Sequence, residues 1–275
     1  MSESASTVEV AVADGIATIT LRRPAKLNAI TVEGKEICDY TAFANALRDL
    51  DKRDDVLVTV WQGISYFFGT DVRSAGTNRE QTDELRANFL NRTAPTTTDC
   101  GHALYNHSKI LVCALNGPVM GIAAAFLGYF DFIYCMDNAW LCVPFTFLGI
   151  VAEGGASVSF VNRMGVAKAN EVLIWGRKKE AQELYDCGFV NKIFPQQSVE
   201  SFHAAVRKLL LEELRGLDPS AVLVVKKLIK TGLHEKNNPD GVNLRESYAQ
   251  AERFASGIPA IQFMRIANKE IKHKL

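Results

Sequence analysis

Blocks of apolar and polar residues predict strands and helices that alternate along the first two-thirds of the chain. Residues 8–21 alternate around Asp14-Gly15, a pair typical of tight β-turns, and predict a hairpin. Residues 56–62 and 109–115 are apolar runs that predict buried strands. Between the hairpin and the first of these runs, residues 31–50 carry apolar side chains at helical spacing, which predicts a helix.

The remaining pattern predicts short strands and helices, and then helices alone in the last third. Residues 73–99 are polar and mixed and predict a flexible segment over a site. The other expected strands are 132–135 and 139–142, and the expected helices are 121–129, 154–164, 168–174, 181–187, 200–213, 220–231 and 244–256. This order predicts an α/β fold built from βαβ units, with a separate helical layer after them.

Composition excludes several functional classes. Lys plus Arg equals Asp plus Glu at 31 each, which argues against a nucleic-acid footprint, although residues 226–275 are locally basic and suit an anionic ligand. The six cysteines have no CxxC spacing, so we expect a reducing compartment and no metal site. Residues 110–136 are apolar, but Asn116, Pro118 and Asp131 interrupt them, which favours buried strand and helix over a membrane span.

Glu153 is the most informative residue, because it lies in the apolar and glycine-rich stretch 148–155. Burial there disfavours the ionised carboxylate and raises its pKa, and proteins tolerate that cost where a proton must be moved. The alternative is that Glu153 only caps a helix that begins near Gly154, since acidic residues are common in a first turn.

Two glycine turns lie between a predicted strand and a helix or loop, at Gly69-Thr70-Asp71 and at Gly121-Ile122. Glycine lets the backbone approach a ligand, and the N–H groups at a helix start have no helical partner. Two such groups, converging from different turns, would form an oxyanion hole. Each turn alone is equally well explained by packing.

In combination, these turns resemble the crotonase (enoyl-CoA hydratase/isomerase) superfamily. Glu153-Gly154-Gly155 and the basic tail look most like the fungal peroxisomal Δ3-Δ2-enoyl-CoA isomerase branch. The matching pieces occur in the family's order: Arg23-Pro24-Ala25-Lys26-Leu27-Asn28-Ala29, Phe68-Gly69-Thr70-Asp71, Asn116-Gly117-Pro118-Val119-Met120-Gly121, Asp131-Phe132-Ile133 and Leu148-Gly149.

The resemblance implies a fold, a domain division and a reaction. We expect a ββα spiral core with the active site over residues 1–200, and a helical layer that oligomerises and covers CoA over residues 201–275. The backbone N–H groups of Thr70 and Ile122 would bind the thioester oxygen, and Glu153 would shuttle the proton. The two acidic positions of family hydratases fall here at Ala125 and Phe145, which disfavours hydration.

The resemblance also implies the substrate contacts. CoA is part of the substrate, so no separate cofactor and no metal are expected. The residues expected to bind the substrate are Lys26, Leu27, Asn28, Phe68, Gly69, Asp71, Val72, Gly121, Lys269 and Lys272. Any one of these lysines is equally well explained as a solvated surface residue. The family commonly forms homotrimers, often paired into homohexamers, and Lys269 and Lys272 would then reach a neighbouring subunit's site.

The last three residues, His273-Lys274-Leu275, imperfectly match a C-terminal peroxisomal address because His replaces the usual small residue. We therefore expect a peroxisomal import receptor as a partner and the peroxisome as the location, with the cytoplasm as the alternative.

The sequence favours an isomerase that converts 3-enoyl-CoA to trans-2-enoyl-CoA in fatty-acid β-oxidation. A hydratase or another acyl-CoA lyase of a secondary pathway is the alternative among enzymes. A catalytically silent scaffold of the same fold is the alternative from another class.

Overall fold

A computed structural model describes residues 8–22, 39–64 and 83–274 of the chain. The strands in this part are β1 Val8–Ala13, β2 Ile16–Leu21, β3 Val58–Gly63, β4 Ile110–Leu115, β5 Val119–Met120, β6 Phe132–Met136, β7 Trp140–Cys142, β8 Lys179–Glu180 and β9 Lys192–Phe194.

The described helices alternate with the strands as far as β9, and after β9 the chain is helical. They are α1 Asp39–Asp51, α2 Leu85–Asn88, α3 Asp99–Asn106, α4 Gly121–Phe126, α5 Ala156–Leu173, α6 Ala181–Asp186, α7 Val199–Glu213, α8 Pro219–Lys236, α9 Pro239–Ala255 and α10 Ile258–Ala267. A π-helical segment, Phe89–Thr98, joins α2 to α3, and a 3-10 turn, Leu127–Tyr129, follows α4.

Among the described residues, six strands form one sheet in the order β1-β2-β3-β4-β6-β9. The predicted hairpin is confirmed, because β1 and β2 pair antiparallel and Asp14 and Gly15 turn the chain with positive φ values of 50° and 74°. All the other pairs in this sheet are parallel, as expected for strands joined by helical crossovers. A second sheet pairs β5, β7 and β8.

The six-stranded sheet is buried on both faces because its side chains alternate between two apolar clusters. Trp61, Leu111 and Cys113 belong to one cluster, which also contains residues of α1, α3, α4 and α5. Val60 and Val112 belong to the other, which α7 completes with Phe202, Val206 and Leu210. The strands therefore read as continuous apolar runs, as the sequence indicated.

The prediction of a flexible segment at 73–99 is wrong for its described part. Residues 85–106 form a continuous helical stretch in which the π-helical segment contains Pro95. The threonines back-bond to the backbone, as Thr93 Oγ1 does to the carbonyl of Phe89 at 3.1 Å, so polar side chains are accommodated inside a helix. The rest of the predicted segment, 73–82, lies outside the described residues.

The two helices predicted at 154–164 and 168–174 are the two halves of α5, which are separated by a kink at Gly165, where the backbone angles are non-helical. Helix α10 was not predicted. The expected helical C-terminal region is confirmed, and its helices contact the core. Helix α9 lies along the π-helical segment, where Phe89 and Tyr248 stack with ring centroids 4.5 Å apart. The domain boundary at residue 200 stays a prediction.

Helix α8 crosses the molecule above a cavity of about 940 Å³, whose lining includes Tyr129, Arg163, Lys226 and Lys230. Its opposite side carries exposed apolar residues. None of the helices in the described ranges is long and apolar enough to span a membrane.

Candidate active site

Glu153 lies in the loop between β7 and α5, immediately before two glycines that turn the chain into the helix. Gly154 and Gly155 have φ values of +65° and +76°, which favour glycine. Glu153 is a buried residue with only 8% exposure. The local geometry therefore places a carboxyl group inside the protein, with its backbone at the start of α5.

The side chain of Glu153 is held from α9. Gln250 Nε2 donates a hydrogen bond to Glu153 Oε2 at 3.1 Å, and Gln250 Oε1 accepts one from the N–H of Val151 at 3.2 Å. One amide group thus fixes the carboxyl group and the backbone two residues before it. Gln250 is itself buried, at 1% exposure, so solvent does not compete for either bond.

Burial, and to a smaller extent the nearby Glu246 carboxylate, raise the pKa of Glu153 to about 8, although the hydrogen bond from Gln250 opposes both effects. A carboxyl group with a pKa near neutrality can both take and return a proton at physiological pH. This satisfies the expectation that the sequence raised for a carboxylate in this stretch.

Glu246, one turn before Gln250 on α9, caps the beginning of α5. Its Oε2 accepts the N–H of Gly155 at 2.6 Å and its Oε1 accepts the N–H of Ser157 at 2.9 Å. Burial raises the pKa of Glu246, whereas the bonds from Ser157 and Gly155 lower it. The alternative role that the sequence left open for Glu153, a helix cap, is performed for α5 by Glu246.

Helix α4 and the turn after it lie against the Glu153 loop, because Gly154 and Gly155 leave room for their side chains. A Cβ atom on Gly154 would lie 3.0 Å from Ile122 Cδ1 and from the ring of Phe126, and one on Gly155 would lie 1.6 Å from Tyr129 Oη. Glycine at both positions is therefore required by close approach as well as by positive φ. The structure brings Ile122 next to the Glu153 loop.

The predicted donor turn at Gly121-Ile122 has the expected backbone form. Met120 is extended, Gly121 has a φ of +63°, and α4 begins there. The N–H of Ile122 lies in the first turn, where α4 itself supplies no acceptor. Ile122 is 2% exposed, so this N–H lies in an apolar environment.

Of the other predicted site residues, most lie outside the described ranges: Lys26, Leu27, Asn28, Phe68, Gly69, Thr70, Asp71 and Val72. Lys269 and Lys272 are exposed and follow α10, with Lys269 at a φ of +61°. Helix α10 packs on the loop before Glu153, since Gln262 Nε2 donates to the carbonyl of Phe147 at 3.1 Å. His273 packs edge-on against Phe147, with centroids 4.9 Å apart, and Leu275 is not described.

The two positions that the resemblance assigns to hydratase acids are apolar and closed to solvent. Ala125 is 0% exposed and Phe145 is 1% exposed. Within the described ranges, no group of three His, Cys, Asp or Glu side chains is arranged to hold a metal ion. Among the described residues, Glu246 and, beside Gly155, Tyr129 are titratable groups next to the Glu153 loop.

Sequence reasoning missed Glu246 and Gln250, although a signal for them exists. The buried face of α9 is polar, with buried side chains at helical spacing: Asn243, Glu246, Ser247 and Gln250. Burial of polar groups is costly unless they are hydrogen-bonded, so a polar stripe at this spacing on a helix points to specific partners.

Residues 11–256 match the family model described as enoyl-CoA hydratase/isomerase. A Delta(3,5)-Delta(2,4)-dienoyl-CoA isomerase of Pyricularia oryzae is 36% identical, over 94% of this chain and 96% of the relative. A 3,2-trans-enoyl-CoA isomerase of Saccharomyces cerevisiae is 31% identical, over 94% and 92%. The peroxisomal enoyl-CoA delta isomerase 3 of Mus musculus is 29% identical, over 88% and 72%.

The fold is shared with solved structures. The crystal structure of an enoyl-CoA hydratase/isomerase from Pseudoalteromonas atlantica superposes with a TM-score of 0.82, over 98% of this chain and 100% of that one, at 24% sequence identity. The predicted fold class, a crotonase-like spiral core with a helical C-terminal layer, is confirmed.

Proposed function

Because the chain belongs to the enoyl-CoA hydratase/isomerase family, we propose that it is an acyl-CoA isomerase of fatty-acid β-oxidation that moves a 3,4-double bond to the 2,3-position. The observation that carries this proposal is the buried Glu153 carboxyl group, whose pKa is raised to about 8 in an apolar site. The names of the fungal relatives, both isomerases of unsaturated acyl-CoA thioesters, support the same class of reaction.

In the proposed reaction, ionised Glu153 removes a proton from C2, between the thioester and the double bond. The electrons of the C2–H bond move into a dienolate, and negative charge collects on the thioester oxygen. The backbone N–H groups of Ile122 and Thr70 stabilise that oxygen. When the negative charge moves back from the thioester oxygen into the carbon chain, the C2–C3 double bond forms and protonated Glu153 gives its proton to C4. Protons and electrons therefore balance.

The apolar surroundings suit a base that returns the proton it takes. Ile122, Phe126 and Phe145 are buried close to or beside the loop of Glu153. Excluding water keeps the proton on the carboxyl group instead of exchanging it with solvent. A site of this kind does not need an added cofactor, because CoA enters as part of the substrate.

A single proton-transfer carboxylate supports isomerisation over hydration. A hydratase that follows the two-acid family pattern would need ionisable side chains where this chain has Ala125 and Phe145. Glu246 does not replace them, since both its oxygens accept backbone N–H groups. Hydration or another acyl-CoA lyase reaction remains the alternative reaction class, and a silent scaffold is disfavoured by the raised pKa of Glu153.

A second substrate is favoured by one observation, the 36% identity to a relative named as a dienoyl-CoA isomerase. A 3,5-dienoyl-CoA presents the same acidic C2 proton to Glu153, and the returned proton would go to C6 instead of C4. The two candidate substrates therefore differ in the carbon atom to which Glu153 must return the proton.

For substrate binding, we propose contacts to CoA from Lys26, Leu27 and Asn28 and from the exposed Lys269 and Lys272. Phe68, Gly69, Asp71, Val72 and Gly121 would shape the acyl pocket. We extend the proposal to a homotrimer or homohexamer, and to import into peroxisomes through His273-Lys274-Leu275. A fluorescent reporter that carries the last ten residues tests the address, and a diffuse cytosolic signal would contradict it.

The deciding experiment measures conversion of trans-3-hexenoyl-CoA to the 2-enoyl product by wild type and Glu153→Gln. We expect the substitution to lower kcat about 10²–10⁴-fold, the range for loss of a general acid–base group. Glu252→Gln, an exposed change of the same type on α9, is the matched control and keeps wild-type activity. Parallel assays with 3,5-dienoyl-CoA and with crotonyl-CoA hydration identify the preferred reaction.

Two outcomes would contradict the proposal. Hydration of crotonyl-CoA that survives Glu153→Gln would place the chemistry on another residue. A wild-type protein that binds acyl-CoA and converts none of the three substrates would favour the silent scaffold.

A further inference from the structure

Two side chains of α9, Glu246 and Gln250, face the Glu153 loop from one side of the helix. They are four residues apart and so lie one above the other on the same face. Both are buried, at 7% and 1% exposure. Buried polar residues are retained at a cost, so their contacts indicate what they do.

We propose that Glu246 and Gln250 are positioning residues that together set how tightly Glu153 holds its proton. Gln250 fixes the Glu153 carboxyl group by a hydrogen bond to its ionised form, and Glu246 keeps a negative charge beside it that favours the protonated form. Their role in turnover rests on the proposed isomerisation, whereas their effect on Glu153 itself does not.

The division of charge between the two carboxyl groups follows from their hydrogen bonds. Glu246 accepts two backbone N–H groups, from Gly155 and Ser157, at 2.6 and 2.9 Å. These donors stabilise its ionised form, as does the positive end of the α5 dipole. Glu153 accepts one amide donor, from Gln250. When the pair holds one proton, that proton therefore resides on Glu153.

In the described part of the chain, other ionisable side chains near Glu153 and Glu246 come from α9 and from the turn after α4. Arg245 on α9 lowers the pKa of Glu246, and Arg253 donates from Nε to the carbonyl of Gly149 at 2.8 Å. From the turn after α4, Tyr129 lies against Gly155, and burial together with Glu246 raises its pKa, so it stays neutral. Glu246 is thus the negative charge that raises the pKa of Glu153.

The two neighbours act on Glu153 in opposite directions, which gives the test its sign. Glu246→Gln removes the negative charge beside Glu153, so Glu153 should lose its proton at a lower pH. Gln250→Met, a change of similar volume, removes the hydrogen-bond donor to Glu153, so Glu153 should lose its proton at a higher pH. A purely structural role for α9 predicts no such pair of opposite shifts.

The measurement is an infrared titration of the full-length protein from pH 5 to 10, in which the Glu153 carboxyl band is identified by its loss in Glu153→Gln. We expect the midpoint to fall by roughly one pH unit in Glu246→Gln and to rise by roughly one in Gln250→Met, a normal size for such perturbations. Two controls, Glu252→Gln and Gln262→Met, keep the wild-type midpoint, since Glu252 is exposed and Gln262 binds the carbonyl of Phe147.

Kinetics provide the second readout. The pH profile of kcat/KM on 3-enoyl-CoA should shift in the same two directions, and Gln250→Met should lower kcat about tenfold with little change in KM, because the base is misplaced. Should Glu246→Gln not fold, Gln250→Glu tests the charge by adding a second carboxylate, and its midpoint should exceed that of Gln250→Met.

Midpoints that move in the same direction, or no further than in the controls, would overturn the proposal. Opposite infrared shifts in a protein that isomerises no substrate would uphold the role of α9 and refute the proposed function instead.

Discussion

Glu153 is a buried carboxyl group whose proton is retained by the fold. Its pKa of about 8 in the folded protein lies above the ordinary value of 4.5. Between these two values the unfolded chain has lost a proton that the folded protein still holds. Folding stability contributed by this group is therefore present at pH 4–5 and falls as the pH rises to about 8.

This linkage predicts the effect of Glu153→Gln on stability. Glutamine cannot ionise, so the variant avoids the cost of the buried charge, and at pH 8.5 it should be more stable than wild type by on the order of 2–4 kcal/mol. Chemical denaturation across pH 5–9 measures the difference. It should shrink towards pH 5, and a difference independent of pH would contradict the raised pKa.

Gly155 lets the turn after α4 approach the start of α5 closely. It and Gly257 both precede a helix, with φ/ψ of 76°/6° and 71°/−7°, but only Gly155 faces another side chain closely. Gly257→Ala meets nothing within 4 Å and should cost about 1–2 kcal/mol for its backbone conformation. Gly155→Ala also meets Tyr129 Oη, and thermal unfolding should show a loss of at least about 3 kcal/mol. Equal losses would contradict the close approach of the turn that follows α4.

The sequence anticipated Glu153 and the glycines beside it because their signal is local. A carboxylate among apolar residues, followed by two glycines, is informative within eight positions. The polar stripe of α9 is the one signal for Gln250, and it does not identify the partner, which lies 97 residues away. Only the fold reveals which polar side chain of a helix reaches the buried Glu153 carboxyl group.

Among the described elements, periodicity predicted most helices and the strands β1–β4, β6 and β7, but it missed the short strands β5, β8 and β9. It also failed where the usual pattern is reversed. The stretch 85–98 buries threonines and an asparagine that back-bond to its own backbone, so it carries no apolar stripe. Helix α9 was predicted, at 244–256, but not its buried polar side chains, whose partners are hydrogen-bonding groups around Glu153. In the stretch 85–98, by contrast, the polar side chains themselves made the sequence look like a loop.

Helix α8 is attached to the sheet by a buried ion pair, which leads to a prediction at the scale of elements. Lys226 Nζ donates to Asp131 Oδ2 at 2.7 Å and to the carbonyl of Lys109, and Lys226 is 7% exposed. Asp131 also accepts the N–H of Leu111 at 2.7 Å. Asp131→Ala leaves a buried ammonium group unpaired and should lower the free energy of unfolding by about 3 kcal/mol.

The matched control is Asp55→Ala, which removes the carboxylate from the exposed pair with Arg53. Exposed pairs contribute little, so denaturant unfolding of this variant should coincide with that of wild type. A similarly small effect of Asp131→Ala would mean that Lys226 reaches solvent or another acceptor.

At the scale of the molecule, α8 exposes several large apolar side chains. Val224 and Leu228, which do not line the cavity beside α8, are 55% and 67% exposed, and Val225 and Ile229, which do line it, are 54% and 61% exposed. The proposed homotrimer or homohexamer would cover such a face, since large exposed apolar patches mark interaction sites. Leu228→Lys should therefore dissociate the assembly, and light scattering of wild type and variant at equal concentration measures the mass.

Val166→Lys is the matched control, because Val166 is 61% exposed on α5. It should leave the mass unchanged. A wild-type protein that is monomeric, or a Leu228→Lys variant with wild-type mass, would show that α8 does not hold subunits together.

The contact between Glu153 and Gln250 also orders events during synthesis of the chain. The ribosome makes Glu153 97 residues before the amide of Gln250 that holds it, and it completes the six-stranded sheet with β9, also before α9. A chain interrupted before residue 239 has every strand of the described ranges and Glu153, but it lacks the cap of α5 and the amide donor to Glu153. A chain that stops before α9 therefore carries the Glu153 carboxyl group without the two side chains that hold it and its loop in place.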